Sequence, residues 1–96
     1  MFVLLVRYKC KPGCRDRYYE AIRDNHIDEM SRSEDGCIRY EYSYGMADDE
    51  LLLSEVWRDA QAIEVHKSSD HFARLGELKS EFVENTEIMK FSAEQV

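Results

Sequence analysis

The strongest constraint on the fold is the order in which hydrophobic periodicities follow one another along the chain. From Phe2 to Cys10 the even-numbered residues are apolar and the other face turns polar at Arg7 and Lys9, which predicts a strand whose even face meets the core. After the break at Pro12-Gly13, apolar and aromatic residues recur every three or four positions, which predicts one long amphipathic helix over about 15–33. The chain therefore opens with a strand followed by a helix.

The rest of the chain carries a similar series of signals. Glu34-Asp35-Gly36 is a stop-and-turn signal, and two strand patterns separated by a polar loop follow it. Asp59 can accept backbone N–H bonds as the cap of a short helix, and a further helix begins at Ser68 or Ser69. The other predicted elements are strands at Cys37–Tyr44, Leu51–Trp57 and Glu87–Ser92 and the short helix at about 60–67.

This order of elements predicts a single domain over residues 1–96 with a ferredoxin-like α+β fold. Two strand-helix-strand units joined by a hairpin place four strands in one antiparallel sheet, with the helices on one of its faces. The other face is uncovered, and because a large apolar patch seldom stays wet on a monomer, we predict that it pairs with a second copy in a homodimer. The residues assigned to this face are Val3, Leu5, Arg7, Arg39, Glu41, Leu51, Leu53, Glu55, Trp57 and Phe91.

Charge and composition exclude several classes of function. The 96 residues include 20 acidic and 13 basic side chains, and a net charge of −7 repels the phosphate backbone of nucleic acids. No apolar run approaches the roughly 20 residues that cross a bilayer, and the first residues lack the features of a signal peptide. We therefore expect a cytoplasmic protein that binds neither nucleic acid nor membrane.

The sequence also predicts no metal and no cofactor. Three cysteines, Cys10, Cys14 and Cys37, are an odd number in a chain large enough to fold without bridges, which favours free thiols. The chain contains no Cys-x2-Cys, His-Glu-x2-His or facial-triad spacing, and Cys10-x3-Cys14 is only a weak metal-binding pattern. It contains no Gly-x-Gly-x-x-Gly motif and no phosphate loop, so a nucleotide cofactor is not expected.

Two histidines near the middle of the chain are the first candidates for chemistry. His66 ends the short helix, where the helix dipole would raise its basicity, although capping alone explains a histidine there. His71 follows five residues later, and the break at Ser68-Ser69 could bring the two rings together. Such imidazoles could act as a general base for a conjugated or carbonyl substrate.

Polar and aromatic residues elsewhere suggest the walls of a pocket. Asn25 and His26 lie on the inner stripe of the first predicted helix, which favours either a cavity or a helix-edge histidine bonded to a carbonyl. Five aromatic residues could line a flat pocket, although strand aromatics more often belong to the core: Tyr8, Tyr40, Tyr42, Tyr44 and Trp57. The predicted ligand is a small aromatic or carbonyl compound.

Three blocks of sequence carry a family resemblance. They are Glu34-Asp35-Gly36-Cys37-Ile38-Arg39-Tyr40, then Glu55-Val56-Trp57-Arg58-Asp59-x-x-Ala62, then His66-x-x-Ser69-x-His71-Phe72. In these blocks and their separations, the chain resembles the antibiotic biosynthesis monooxygenase domain family. The resemblance implies a dimeric α/β barrel of ferredoxin-like subunits, each with a cavity between sheet and helices.

The resemblance also implies a chemistry. Some members of the family oxygenate quinols or anthrones with molecular oxygen and without metal or flavin. By analogy His66 or His71 would be the base, Trp57 and Tyr42 would hold the ring, and Asn25 or His26 would bond a substrate oxygen. A similar isomerase of a phosphorylated signal molecule is the alternative, with Lys67 and Arg7 as candidate cations, and a non-catalytic ligand-binding dimer is the third reading.

Overall fold

The computed structural model describes residues 1–96 and contains four strands and four helices. In chain order these are β1 (Phe2–Cys10), α1 (Arg15–Asp24), α2 (Ile27–Arg32), β2 (Cys37–Tyr44), β3 (Glu50–Trp57), α3 (Ala60–Lys67), α4 (Asp70–Phe82) and β4 (Val83–Ser92). The strand β4 begins directly after α4, four residues earlier than the sequence predicted. None of the four helices combines the length and the apolar composition that a membrane span requires.

The four strands form one antiparallel sheet in the spatial order β2-β3-β1-β4. The central strand β1 pairs with β3 on one side and with β4 on the other, so that Phe2 lies opposite Trp57 and Val6 opposite both Leu53 and Ile88. The even-numbered residues of β1 meet the helices, as the alternation predicted. The predicted ferredoxin-like α+β fold is confirmed.

The register of β3 corrects the predicted faces of the sheet. Leu51, Leu53, Glu55 and Trp57 were assigned to the uncovered face, but all four are buried on the helix face. They share that face with the even residues of β1, because partners in a ladder point to the same side. The strand is apolar on both faces, so its composition does not show which set of residues points inward, and a shift of one residue exchanges the faces.

The uncovered face of the sheet still carries an apolar patch. Val3 and Leu5 lie there as predicted, next to Phe91 and Met89 on β4, and β3 contributes Leu52 and Val56 in place of the residues first assigned. Polar groups interrupt the patch, among them Arg7, whose guanidinium pairs with the carboxylates of Glu50 and Glu87. The homodimer remains a prediction, supported by this patch.

The predicted long helix is divided into α1 and α2. The break lies at His26, whose φ of 57° is left-handed and ends the first run of helical hydrogen bonds. After the break the buried positions are Ile27, Asp28 and Ser31, whereas the predicted inner residue Met30 is 44% exposed. The sequence prediction of a single helix was wrong because the step from Ile22 to the next buried residue, Ile27, is five positions instead of four.

Candidate active site

A cavity of about 340 Å³ lies between the helix face of the sheet and the helices α3 and α4. Its apolar walls come from Leu4 and Val6 on β1, from Phe72 and Leu75 on α4, and from Ile88 on the edge strand β4. A volume of this order suits a small organic ligand. The polar residues that line it are Tyr8, Tyr40, Glu55, His66, Lys67 and Lys79, together with Lys90.

Two capping interactions hold His66 in the wall of this cavity. Asp59 begins α3 by accepting a hydrogen bond at Oδ1 from the backbone N–H of Ala62, at 2.8 Å. Ser69 begins α4 by accepting a bond from the N–H of Phe72, and its hydroxyl donates to the carbonyl of His66 at 2.6 Å. The Asp59 cap was predicted from local sequence, whereas the start of the next helix was left open between Ser68 and Ser69. Together the two caps hold the passage from α3 into α4.

The fold brings His66 and His71 together around a carboxylate. Nδ1 of His66 lies 2.5 Å from Oε2 of Glu34, and Nε2 of His71 lies 2.9 Å from the same oxygen. All three side chains are largely buried, and Oε1 of Glu34 has no partner. Because Nδ1 of His66 is engaged by Glu34, the nitrogen of His66 that is free to meet a ligand is Nε2.

Burial sets the protonation state of His66. It lowers the pKa of His66 below 6.5, a change that the hydrogen bond and the charge of Glu34 oppose and the proximity of His71 reinforces. The sequence predicted the opposite sign from the helix dipole, and desolvation outweighs that contribution. The ring of Trp57 lies against His66, with 4.6 Å between ring centres, and excludes water from that side. His66 is therefore neutral near pH 7 and can accept a proton.

Glu55 is a second ionisable group in the cavity wall. Its side chain is buried on β3, and Oε1 accepts a hydrogen bond of 3.0 Å from Nε1 of Trp57. Burial raises the pKa of Glu55, partly offset by the bond from Trp57, and the negative charge of Glu34 raises it further. A carboxyl whose proton is held more tightly than usual can donate that proton to a bound ligand.

The tyrosines near the cavity are hydrogen-bond donors instead of bases. Tyr8 and Tyr40 line the cavity, and burial raises the pKa of both phenols above the ordinary value. Tyr42 lies behind Tyr40, with the two hydroxyl oxygens 3.0 Å apart, and Trp57 lies behind His66. Of the five aromatic residues predicted to line the pocket, Tyr8 and Tyr40 do so, and Tyr42, Tyr44 and Trp57 do not. Tyr42 and Trp57 support the residues that do.

The two polar residues predicted on the first helix do not reach the cavity. Asn25 uses its side chain to donate to the carbonyl of Ala21 and to accept from Arg74 at 3.1 Å. The side chain of His26 is 66% exposed and lies 3.6 Å from the carboxylate of Glu29. The left-handed break at His26 turns it outward. Neither residue lines this cavity, and their predicted substrate-binding roles have no support from its geometry.

The Glu34, His66 and His71 cluster also has the composition of a metal site. One ligand atom from each residue lies within 4.8 Å of the others, and two imidazoles with a carboxylate are a common donor set for transition metals. The oxygen Oε2 of Glu34 is already shared between the two imidazoles by hydrogen bonds. The two imidazoles and Oε2 thus form a hydrogen-bonded triad, whereas Oε1 of Glu34 is unpartnered, and the prediction that no metal is needed remains to be tested.

Sequence reasoning missed two acidic residues of the site. Glu34 precedes His66 by 32 positions and was interpreted only as part of a turn, and Glu55 was placed on the uncovered face. Both lie in the blocks that carry the family resemblance, which was the one signal that could have found them. His71 was predicted correctly to lie near His66, but it contacts Glu34 and does not line the cavity.

The ferredoxin-like sheet and its helices thus surround a cavity whose wall contains a neutral imidazole and a buried carboxyl, two groups that can take up and release protons. Comparison with known proteins gives the family. The chain belongs to the antibiotic biosynthesis monooxygenase family, whose family model matches residues 1–78.

Solved structures show the same fold. A protein from Pseudomonas aeruginosa superposes with a TM-score of 0.86 at 24% identity, covering 98% of this chain and 94% of that one. A candidate antibiotic biosynthesis monooxygenase from Nitrosomonas europaea has a TM-score of 0.86 at 20% identity, covering 97% and 98%. An uncharacterised protein of Synechocystis sp. is 37% identical over 65 residues, which are 67% of this chain and 43% of that protein. The chain thus matches less than half of that relative's length, and family membership supports a general monooxygenase-like role.

Proposed function

We propose that this protein is a cofactor-independent monooxygenase that oxidises a small quinol- or anthrone-like aromatic with molecular oxygen. The observation that carries the proposal is the pair formed by His66 and Glu55, a proton acceptor and a proton donor in the wall of one cavity. An electron-rich aromatic anion can reduce oxygen by itself once a base has formed it. The protein then needs to bind, deprotonate and exclude water.

In this proposal His66 begins the reaction. Its Nε2 accepts a proton from the hydroxyl or the acidic carbon of the substrate, while Glu34 holds Nδ1 and stabilises the imidazolium that forms. His71 shares Glu34 with His66 and keeps the carboxylate in place, which makes it a positioning residue. This assigns the base to His66, where the sequence left both histidines open.

The substrate supplies all the electrons. Its anion passes one electron to oxygen, and the two radicals combine to form a carbon–oxygen bond and a peroxide. Glu55 gives a proton to the outer oxygen, which makes a hydroperoxide. The attacked ring carbon then loses its hydrogen as a proton to the Glu55 carboxylate, the O–O bond breaks, and the protonated His66 gives its proton to the departing hydroxide, which leaves as water. One quinol and one oxygen yield one hydroxyquinone and one water, so no external reductant takes part. Both groups end in their starting protonation states.

Oxygen uptake by metal-free, flavin-free protein tests the proposal. A panel of hydroquinols and anthrones is compared in an oxygen electrode, with substrate autoxidation subtracted. We expect His66→Ala to lower the rate by about 10²–10⁴-fold, the usual value of a general base, with the fold intact by circular dichroism. His26→Asn is the matched control, because it removes an exposed histidine and asparagine tolerates the left-handed backbone there. Equal rates in the two variants would refute the role of His66.

A second candidate is an isomerase of a small carbonyl compound. The same His66 and Glu55 pair favours it, because an isomerase removes a proton from one atom and returns it to another. Arg7, first considered as a phosphate ligand, lies on the uncovered face in ion pairs with glutamates, but Lys67 does line the cavity. Solvent-deuterium exchange into a carbonyl substrate under anaerobic conditions, followed by NMR, would support this candidate.

The third candidate is a ligand-binding dimer without turnover, which the buried apolar cavity also permits. The His66→Ala substitution distinguishes ligand binding from turnover. If His66→Ala binds an aromatic ligand as tightly as the natural chain and no substrate in the panel consumes oxygen or exchanges protons, the ligand-binding reading is the correct one.

A further inference from the structure

Three lysines approach the cavity from three different elements. Lys67 is the last residue of α3, Lys79 lies near the end of α4, and Lys90 lies on β4. Lys90 is paired with Leu4 in the sheet and so shares the face that carries the cavity. These three residues, called here the lysine rim, come from positions 67, 79 and 90, and only the tertiary structure brings them together.

The ammonium groups of the rim lie close to the cavity surface. Nζ of Lys79 lies 5.8 Å from the centre of the Tyr8 ring, which is part of the cavity wall. Nζ of Lys90 lies 4.9 Å from the centre of the Phe2 ring, on the same face of the sheet. Both distances are within the range of cation–π contact, which keeps the stems of these long side chains against the apolar surface.

The rim is an unusual concentration of positive charge in this chain. The whole protein carries −7, yet the cavity wall holds three lysines and a single carboxyl, Glu55, whose pKa is raised by burial. Lys79 and Lys90 form no ion pair, and Lys67 has only the exposed carboxylate of Glu64 at 3.9 Å. Most other cations are paired, as Arg58 is with Asp35 and Asp59. Unneutralised cations around a concave site raise the local concentration of anions.

We infer that the substrate carries an anionic group, a carboxylate or a phosphate ester, bound by Lys67, Lys79 and Lys90. This rests on the proposed function and names the class of its substrate. Phe72, Leu75 and Ile88 line the same cavity and give the ring an apolar wall. The anionic group at the rim leaves the opposite, reactive end of the ring for His66 and Glu55.

Binding of a matched ligand pair tests the inference without turnover. The pair is 2,5-dihydroxybenzoate and 2,5-dihydroxybenzamide, which have the same ring and nearly the same shape and differ in charge. Isothermal titration calorimetry under anaerobic conditions gives both dissociation constants. We expect the carboxylate to bind about tenfold or more tightly than the amide, as charge-assisted hydrogen bonds would give. The preference decreases as the salt concentration rises.

Variants that remove positive charge show which lysines cause the preference for the carboxylate. Lys79→Gln combined with Lys90→Gln abolishes the preference for the carboxylate and leaves the affinity for the amide within about twofold. Lys9→Gln is the matched control, because Lys9 lies on the opposite face of the sheet, in an ion pair with Glu84. Phenyl phosphate, titrated beside benzoate, tells whether the rim favours a phosphate ester or a carboxylate. An amide that binds as tightly as the carboxylate, or a preference that survives the double substitution, overturns the inference.

Failure of this inference can be distinguished from failure of the proposed function. If neutral hydroquinols consume oxygen in a reaction that His66→Ala slows, but the carboxylate binds no more tightly than the amide, the rim has no role and the oxygenase proposal stands. If the carboxylate preference is present and maps to Lys79 and Lys90, but no quinol consumes oxygen, the anion site stands without the oxygenase.

Discussion

The contact between the turn at Gly36 and the helix α3 fixes the position of Glu34, and one methyl group should disrupt it. A Cβ added at Gly36 would lie 2.2 Å from Cβ of Ala62 and 3.4 Å from its Cα. Ala62 is buried in the first turn of α3, whose position is set by the Asp59 cap, so the helix cannot easily give way. We expect the turn to move instead and to carry Glu34 away from His66.

The expected cost follows from the packing of this contact. Overpacking of a well-packed site typically destabilises a protein by about 1–3 kcal/mol. Gly76→Ala is the matched control, because a Cβ there meets nothing within 4 Å and the residue lies inside α4. That substitution should stabilise the helix by about 0.5–1 kcal/mol. The two glycine-to-alanine variants should therefore differ by about 1.5–4 kcal/mol in the free energy of unfolding.

Urea denaturation followed by circular dichroism measures this difference. The shift in melting temperature should be about 4–8 °C per kcal/mol for a domain of this size. A double variant, Gly36→Ala with Ala62→Gly, removes the closest atom and should recover part of the loss, less about 1 kcal/mol for glycine in a helix. If Gly36→Ala is as stable as the natural chain, the proposed contact between the turn and α3 is wrong. It is also wrong if Ala62→Gly destabilises the Gly36→Ala variant as much as it destabilises the natural chain.

Four other predictions address the site and the surfaces. Because burial lowers the pKa of His66, kcat/KM for oxygen uptake should rise with pH around a midpoint below 6.5 as His66 loses its proton, and it should fall at higher pH as Glu55 loses the proton that it donates. A rising limb with a midpoint above pH 7 would contradict His66 as the base. Burial raises the pKa of Glu55, so ionisation of this carboxyl opposes folding. In urea denaturation Glu55→Gln should therefore be more stable than the natural chain at pH 8, and the difference should vanish below pH 4.5. A variant that is less stable than the natural chain at pH 8 would argue against a desolvated carboxyl. Leu5→Arg on the uncovered face should convert the predicted homodimer to a monomer, as measured by size-exclusion chromatography with light scattering. If the natural chain is already monomeric at micromolar concentration, the dimer is disproved. Burial raises the pKa of the Cys10 and Cys37 thiols to about 11, so both should react slowly with a thiol reagent at pH 7.5, and fast modification of all three cysteines would show that these two are accessible.

Local sequence was sufficient for most of the secondary structure. The alternation in β1 and β2, the turn at Gly36 and the caps at Asp59 and Ser69 all depend on residues within a few positions of one another. Their order then allows few topologies, and the ferredoxin-like arrangement was the one found. The division of the first helix was missed because apolar residues continue on both sides of His26 and only the spacing changes there.

The site itself depended on contacts between distant residues. His66 and His71 could be identified from the sequence as a pair, but the carboxylate that joins them comes from Glu34, 32 and 37 positions earlier. The protonation state of His66 also followed from its surroundings, since burial reversed the effect expected from its place at a helix end.

The sequence by itself determined the elements, their order, the helix caps and the family, because each of these depends on local spacing or on short motifs. Tertiary structure alone decided which face of β3 points inward, and with it the placement of Glu55 in the cavity. It also decided the grouping of the lysine rim around that cavity. The physical reason is that strand register and helix docking are set by packing between segments far apart in the chain, and a one-residue change in register moves a side chain from solvent to the site.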